Sequence, residues 1–380
     1  MRKTVTDKVS AVYIDSYEYT KLRDAVTTLL ESLGGIETFV KRGERVLLKP
    51  NMLSAKEPDM AVTTHPTLVR VVTELVQACG ASVMIGDSPG VDGFHRVAEK
   101  TGISAVASES GAELVPFKET VTAQSCGIFK RIELARVYLE ADKIINLPKL
   151  KTHEMMTLTC AVKNLFGAVV GTAKAGWHLK AGASRDRFAR LLLEIYLLKK
   201  PVLNIVDAIW AMEGDGPSSG EPTRVNALIA GANAIAVDTF AARLAGLPPD
   251  LLYVEREAER MRLSGADPEK IEIVGANITL LNRKPFRLPK GLDTQFGFPE
   301  FLKKALRRHL IAYPVVEKEL CVLCGICRDA CPPKVITIKN STLSIDEKRC
   351  IRCWCCRELC PENAVKTRRG TLMKLFPKLG

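Results

Sequence analysis

With 380 residues, 47% of them hydrophobic, the chain exceeds the usual size of a single domain and can bury a sizeable core. No apolar run reaches the roughly 18 residues of a membrane span, and no signal-peptide pattern opens the chain, so we expect a cytoplasmic protein without a membrane span. The net charge of +12 is concentrated in residues 301–380, which carry 17 Lys and Arg against 7 Asp and Glu. No motif of aromatic side chains that would stack on bases accompanies this charge, which argues against nucleic acid binding.

Residues 1–295 alternate between strand-like and helix-like segments. Apolar runs predict buried strands at residues 45–50, 82–87, 143–148, 202–207 and 226–231. The helix-like stretch 186–200 places five apolar residues on one face, namely Phe188, Leu191, Leu192, Ile195 and Leu198. Strand followed by helix, repeated, predicts an α/β body with a largely parallel sheet and helices on both faces.

Polar side chains follow several of these strands. Because ligands bind at the carboxyl ends of strands in such sheets, we predict a crevice that binds a small anionic substrate through lysines and amides. The predicted substrate-binding residues are Lys49, Asn51, Asp87, Lys149, Lys151, Lys163, Asn164 and Asp207. The predicted catalytic residues are His153 and His178, as proton donors. Turn-capping aspartates, solvated lysines and hydrogen-bonded structural histidines are the alternatives.

A glycine-rich connection surrounds some of these groups. Glycines at positions 167, 171, 176 and 182 flank Lys174 and His178. The segment matches neither a Walker A loop nor the G-x-G-x-x-G fingerprint, so it predicts no nucleotide.

Two further segments flank a second domain. Residues 296–315 combine apolar and basic side chains at helical spacing and predict an amphipathic linker helix. Residues 368–380 form a basic tail.

The second domain, residues 316–367, contains a repeated cysteine pattern. CVLCGICRDACP and CIRCWCCRELCP both read C-x2-C-x2-C-x3-C-P, the bacterial ferredoxin spacing, in which the fourth cysteine ligates the other cluster. The pattern predicts a small α+β ferredoxin-like module with two 4Fe-4S clusters. Cluster one takes Cys321, Cys324, Cys327 and Cys360, and cluster two takes Cys350, Cys353, Cys356 and Cys331. Cys355 is left over. Zinc is the alternative, although four-cysteine zinc sites do not require this triple spacing twice.

The motifs of the body resemble a known family. In chain order they are VLLKPNM, GDSPG, NLPKLKTH, TCAVKNLFG, GTAKAGWHLK and DAIWAMEGDGPSSGEP. Together they resemble the family named domain of unknown function 362, over about residues 10–295. Members of that family often carry a two-cluster ferredoxin module at the carboxyl end, and the resemblance implies no particular reaction.

Two functions are consistent with this organisation. In the first, a ferredoxin-coupled reductase, the clusters pass electrons to a small anionic substrate in the crevice. In the second, the protein is a non-catalytic electron carrier or a docking adaptor for a partner oxidoreductase. The basic carboxyl-terminal region favours an acidic electron-transfer protein as donor or acceptor, because complementary charge speeds encounter; a solvated basic surface is the alternative.

Overall fold

The computed structural model describes residues 7–90, 92–281, 285–290 and 312–368. The predicted linker helix, residues 296–315, lies outside these residues up to residue 311, and its last positions belong to a strand, Tyr313–Val316. The predicted basic tail lies outside them after Arg368. No helix among the described residues is long and apolar enough to cross a membrane.

Twelve described strands belong to the body. They are β1 (Asp7–Tyr13), β2 (Arg45–Pro50), β3 (Ser82–Asp87), β4 (Glu113–Pro116), β5 (Thr120–Gln124), β6 (Arg131–Ala135), β7 (Lys143–Leu147), β8 (Lys149–His153), β9 (Thr157–Thr159), β10 (Leu203–Glu213), β11 (Glu221–Gly231) and β12 (Ile271–Ala276).

The described α-helices of the body follow and separate these strands. They are α1 (Tyr19–Glu31), α2 (Pro66–Ala78), α3 (Phe94–Lys100), α4 (Ile103–Ser110), α5 (Arg136–Glu140), α6 (Ala161–Asn164), α7 (Ala173–Ala181), α8 (Arg185–Leu198), α9 (Ala234–Leu244) and α10 (Tyr253–Arg260).

Ten of the described strands form one sheet. Its main path runs β12-β1-β11-β10-β7-β2-β3-β4, with β8 paired to β10 and to β9. From β4 to β10 the neighbours on this path are parallel, whereas β11 is antiparallel to both β1 and β10. The predicted, largely parallel sheet is therefore confirmed, and the predicted strands at residues 45–50 and 82–87 coincide with β2 and β3.

Two hydrophobic cores lie on the two faces of this sheet. In β2, Val46 and Leu48 belong to the core under α1–α4, whereas Leu47 belongs to the core under α5–α10. This alternation follows from the two-residue period of a strand, and a strand buried on both faces consequently reads as a continuous apolar run. In α8, Phe188 and Ile195 are fully buried, as the helical spacing predicts.

The described part of the carboxyl-terminal module is small and mixed. It contains β13 (Tyr313–Val316), α11 (Ile326–Asp329), β14 (Ile336–Lys339), β15 (Thr342–Ile345), α12 (Cys355–Glu358) and β16 (Val365–Arg368). β14 and β15 form a hairpin in which Asn340 and Ser341 have positive φ angles, and β13 pairs with β16. Short α-helices and strand pairs match the expected α+β character.

Candidate functional site

The carboxyl ends of β2 and β3 hold a buried ion pair. Lys49 Nζ lies 2.7 Å from Asp87 Oδ1, and both side chains are almost completely buried. Burial lowers the pKa of Lys49, and the charge of Asp87 partly offsets this effect. A Cβ atom at Gly167 would lie 2.1 Å from Asp87 Oδ1 and 2.5 Å from Lys49 Nζ. The pair therefore depends on a glycine at position 167.

A chain of buried amides links neighbouring strand ends. Asn51 Nδ2 donates to Asn164 Oδ1 at 2.8 Å, and Asn164 Nδ2 donates to Asn146 Oδ1 at 2.8 Å. Lys151 Nζ donates to Asn51 Oδ1 at 3.0 Å and to the carbonyl of Val62 at 2.6 Å. The chain brings together three predicted substrate-binding residues and fixes the position of the Lys151 ammonium group. The sequence does not predict a role for Asn146, because this residue is only a single polar position within the apolar strand KIINL.

Three lysines near these amides have no ion pair with a carboxylate in the described part of the chain. Burial lowers the pKa of Lys151 to about 7. Lys174 Nζ donates to the carbonyl of Ser88 at 2.6 Å, and burial lowers its pKa to about 8. Lys163 makes neither a hydrogen bond nor an ion pair with the described residues, and burial lowers its pKa as well. A partly buried ammonium group without a partner is suited to bind an anion.

Lys149 and Asp207 form a separate, closed cluster. Lys149 Nζ donates to Asp207 Oδ2 and to the Tyr17 hydroxyl, both at 2.9 Å. The Tyr17 hydroxyl and the backbone N–H of His65 donate to Asp207 at 2.5 Å and 2.9 Å. The lysine and the aspartate are fully buried, so each satisfies the other within the fold. Their role in substrate binding stays a prediction.

His153 is the last residue of β8 and precedes a tight turn. Its Nδ1 accepts the backbone N–H groups of Met155 at 3.0 Å and Met156 at 3.1 Å, which leaves the proton on Nε2. Nε2 lies 3.9 Å from Glu358 Oε2 of the module. Burial, followed by the charge of Lys163, holds the pKa of His153 well below its usual value. The imidazole is therefore neutral at pH 7.

His178 lies in α7 between two aromatic rings. It stacks on Phe188 with ring centroids 4.2 Å apart and meets Phe166 edge-on. Its Nδ1 is buried and has no hydrogen-bond partner among the described residues. Burial, together with Lys163, lowers the pKa of His178 to about 3, so this imidazole is also neutral at pH 7. The proton-donor roles of His153 and His178 stay predictions.

Arg357 of α12 joins the module to the body. Its guanidinium group pairs with Glu154, and its Nη2 lies 2.9 Å from Asp215 Oδ2. Ser218 Oγ also donates to the backbone carbonyl of Glu358 at 3.0 Å. Arg357 is 4% exposed and Glu154 is 1% exposed, so removal of the guanidinium would leave a buried carboxylate uncompensated. These contacts place the module directly over the strand ends.

Each of two small cavities in the module is lined by four cysteines. One is lined by Cys321, Cys324, Cys327 and Cys360. The other is lined by Cys331, Cys350, Cys353 and Cys356. These groups are called the first and second cysteine sets below. Each combines three cysteines of one motif with the fourth cysteine of the other, and Cys355 lines neither cavity.

The donor chemistry of the two sets fits iron–sulfur clusters. Among the described residues, no three His, Cys, Asp or Glu side chains are arranged to hold a single metal ion. Four thiols around one cavity are the kind of donor set that ligates the separate iron corners of a 4Fe-4S cluster. Burial, followed by the neighbouring Cys360, raises the pKa of the Cys327 thiol in the first set to about 11. The positive charge of a bound metal would stabilise the thiolate form there.

A cavity of about 810 Å³ lies between the body and the module. Among the residues that line it are Asn51, Asp87, Lys151, Lys163, Asn164, Lys174 and His178 from the body and Cys331, Cys355, Glu358 and Leu359 from the module. The structure thus brings together five of the predicted substrate-binding residues and one predicted catalytic histidine. The described lining does not include Lys49, Lys149, His153 or Asp207.

The second cysteine set adjoins this cavity. Cys331 borders both the large cavity and the small cavity of its own set. None of the first-set cysteines borders the large cavity. A group held by the second set would therefore lie closer to the cavity than one held by the first set.

Comparison with known proteins identifies the body. The family model described as Domain of unknown function (DUF362) matches residues 46–243. The thylakoid-associated protein sll1697 of Synechocystis sp. is 36% identical over 308 residues, which cover 80% of this chain and 95% of that protein. The chain belongs to the DUF362 family.

The DUF362 match begins in β2 and ends in α9, so it includes every body residue that lines the cavity. A second model, described as a 4Fe-4S binding domain, matches residues 314–337, which contain the first cysteine motif. This DUF362 protein therefore carries a 4Fe-4S binding domain. The second cysteine motif lies beyond that match.

One solved structure that this DUF362 protein resembles is the lactate racemase apoprotein from Thermoanaerobacterium thermosaccharolyticum. The TM-score is 0.41 and the sequence identity is 10%. The likeness covers 65% of this chain and 59% of the racemase chain, which is less than two thirds of that protein.

Proposed function

We propose that the protein is a ferredoxin-type electron-transfer protein with two 4Fe-4S clusters that reduces a small anionic substrate bound by the α/β body. The observation that carries this proposal is that Cys331 of the second cysteine set and Lys163, which has no ion pair with the described residues, line the same cavity. When bound, the clusters would supply single electrons. The first and second cysteine sets would each hold one of them.

The lysines of the cavity would bind the anion. Lys163 has no ion-pair partner in the described part of the chain and is the strongest candidate for direct contact with the substrate. Lys151 and Lys174 are held in place by Asn51 and Ser88 and would add positive charge. Preorganised cations in a partly closed cavity bind an anion without a large reorganisation.

Reduction of an organic substrate consumes protons as well as electrons. Lys151 lines the cavity, and its pKa of about 7 allows it to donate a proton near neutral pH. His178 lines the same cavity, but its pKa of about 3 leaves it neutral at pH 7, so Lys151 is the stronger candidate for the proton donor. His153 lies behind the lining, where its Nε2 faces Glu358 and would help to position that carboxylate.

An acidic electron-transfer protein is the proposed external donor. Residues 301–380 carry a net charge of +10, which would speed encounter with such a protein. The cytoplasmic location is part of the same proposal. The name of the Synechocystis relative associates that protein with thylakoids, so fractionation of the source cells is the test of this location.

The proposal is tested with the full-length protein, purified without oxygen and reduced by dithionite. After the excess reductant is removed, the organic-acid fraction of the source cells should reoxidise the protein, as measured by the return of its visible absorption. Lys163→Gln should slow this reoxidation at least about tenfold, because one charge-assisted contact with the substrate is lost. The rate should also fall as pH rises above about 7, since Lys151 then loses its proton.

Lys180→Gln is the matched control, because Lys180 lies in α7, is exposed and does not line the cavity. It should reoxidise at the wild-type rate. A reduced protein that no fraction reoxidises, but that co-purifies with an oxidoreductase and transfers electrons to it, would instead establish the adaptor function.

A further inference from the structure

The cavity between body and module is large for a small hydrophilic anion. Its volume of about 810 Å³ falls within the roughly 300–1,000 Å³ of sites that enclose ligands of drug size. Five or six heavy atoms would leave most of this space to water. The dimensions thus favour a larger organic occupant.

The lining contains a group of neighbouring charged residues, Lys151, Lys163, Lys174 and Glu358, and it also includes Lys118, Lys334, Asp92 and Asp329. The charge of Glu358 acts to raise the pKa of Lys151, Lys163 and Lys174. The charge of Lys163 acts to lower the pKa of the other two lysines, so all four groups lie near one another. Asp87 also lines the cavity, but Lys49 compensates its charge. Asp92 and Asp329 pair with Arg96 and Arg328, which leaves Glu358 as the lining carboxylate without a Lys or Arg partner among the described residues. The excess of lysines over such carboxylates favours an anionic ligand.

The remaining lining is largely apolar and comes from both domains. The body contributes Leu53, Phe94, Phe117 and Phe166, and the module contributes Ile326 and Leu359. Leu359 approaches the body closely, since a Cβ at Gly90 would lie 2.7 Å from its Cδ2. An apolar portion of a ligand would therefore be enclosed between the two domains.

Two polar atoms of the lining residues lack partners. Thr159 Oγ1 and His178 Nδ1 are buried, and neither has a hydrogen-bond partner in the described part of the chain. Both residues line the cavity. Because an unsatisfied buried polar atom is costly, these atoms are available to polar groups of an occupant.

We propose that the occupant is an amphipathic organic anion, with one anionic group at Lys163 and an extended apolar portion enclosed between the aromatic side chains of the body and Leu359 of the module. This inference rests on the cavity of the proposed function and specifies the class of its substrate. Small hydrophilic anions such as acetate or phosphate bind weakly, because they leave the apolar lining in contact with water.

Calorimetric titration of the oxidised, cluster-loaded full-length protein tests the inference with three probes. Octanoate has the charge and the apolar chain, acetate has only the charge, and 1-octanol has only the chain. Octanoate should bind at least about a hundredfold more tightly than acetate, since each buried methylene contributes roughly a fourfold gain in affinity. Octanoate should also bind more tightly than 1-octanol.

Variants separate the two parts of the site. Lys163→Met should weaken octanoate about tenfold and leave 1-octanol unchanged, whereas Leu359→Ala should weaken both of these probes. Lys180→Met and Leu320→Ala are the matched controls, since both side chains are exposed and neither lines the cavity. If Lys163→Met unfolds, Lys174→Met serves in its place, with the same expected pattern.

Equal affinity for octanoate and acetate, or octanoate binding that ignores both Lys163 and Leu359, would overturn the inference. The titration involves no electron transfer, so its outcome is independent of the proposed reductase activity. If octanoate binds as expected while no organic acid reoxidises the reduced protein, the proposed function fails and the inference stands. If a small hydrophilic acid reoxidises the protein and octanoate does not bind, the inference alone fails.

Discussion

Replacement of Gly167 by alanine is expected to lower the free energy of unfolding by about 3–5 kcal/mol, the cost of breaking a buried ion pair. The new Cβ would lie 2.1 Å from Asp87 Oδ1 and 2.5 Å from Lys49 Nζ. Asp87 cannot move away easily, because its carboxylate also accepts the backbone N–H groups of Met52 at 3.0 Å and Ser88 at 2.9 Å. Urea unfolding followed by circular dichroism measures the change.

Gly176→Ala is the control for this prediction. Gly176 lies within α7, and a Cβ there would meet nothing within 4 Å. Since alanine is favoured over glycine inside a helix by up to about 1 kcal/mol, this variant should be as stable as the wild type or slightly more stable. If Gly167→Ala unfolded at the same urea concentration as Gly176→Ala, the ion pair would not be constrained as described.

Iron content is expected to distinguish two arrangements of ligands. In the one proposed here, the fourth cysteine of each motif ligates the other cluster; in the alternative, each motif holds its own cluster. A protein with two 4Fe-4S clusters holds about eight iron atoms per chain, and loss of one ligand should remove one cluster of about four. Cys331→Ala should therefore halve the iron content. Cys355→Ala should leave it unchanged, because Cys355 lines neither cysteine cavity.

Double variants make this prediction sharper. Cys331 and Cys350 line the same small cavity although they belong to different sequence motifs. Their joint replacement by alanine should leave about four iron atoms, because the first set stays intact. Joint replacement of Cys331 and Cys321, which share one motif, should remove both clusters. If each motif held its own cluster, these two results would be exchanged.

The parts of the fold that the sequence predicts are the ones that depend on local patterns. RVLLKP and SVMIGD read as strands because both faces of each strand are buried in the middle, where Val46, Leu47 and Leu48 and Val83, Met84 and Ile85 form apolar runs. The cysteine spacing is equally local. Three predicted ligands lie within seven residues, and the repeated motif indicates that the fourth cysteine ligates the other cluster. These patterns can be recognised in the sequence without knowing which residues are neighbours in the fold.

The pairing of charges could not be predicted in this way. Lys49 and Lys149 follow the same kind of pattern as Lys151, yet each meets an aspartate, and Lys151 meets an amide and a carbonyl. The distinction depends on partners far away in the chain, such as Asp207 for Lys149, 58 residues later. A polar residue after a strand indicates where a site lies, but the fold decides which charges stay available.

Contacts between the two domains also could not be predicted from the sequence. Arg357 lies inside the second cysteine motif, where its positive charge suggests only a basic surface, but it is buried against Glu154 and Asp215 of the body. The sequence places Lys174 in a glycine-rich segment and does not predict that it belongs to the site. The fold brings it there, because α7 places its ammonium group next to Ser88 at the end of β3.

We propose that the second cysteine set holds an iron–sulfur cluster next to the cavity that Lys163 lines. Diffraction from crystals of the anaerobically purified protein, recorded on both sides of the iron absorption edge, tests this most directly. We expect two iron-containing peaks, one against Cys331, Cys350, Cys353 and Cys356 and adjacent to the cavity. Single zinc atoms at the cysteines, or a module whose second cluster faces away from Lys163, would contradict it.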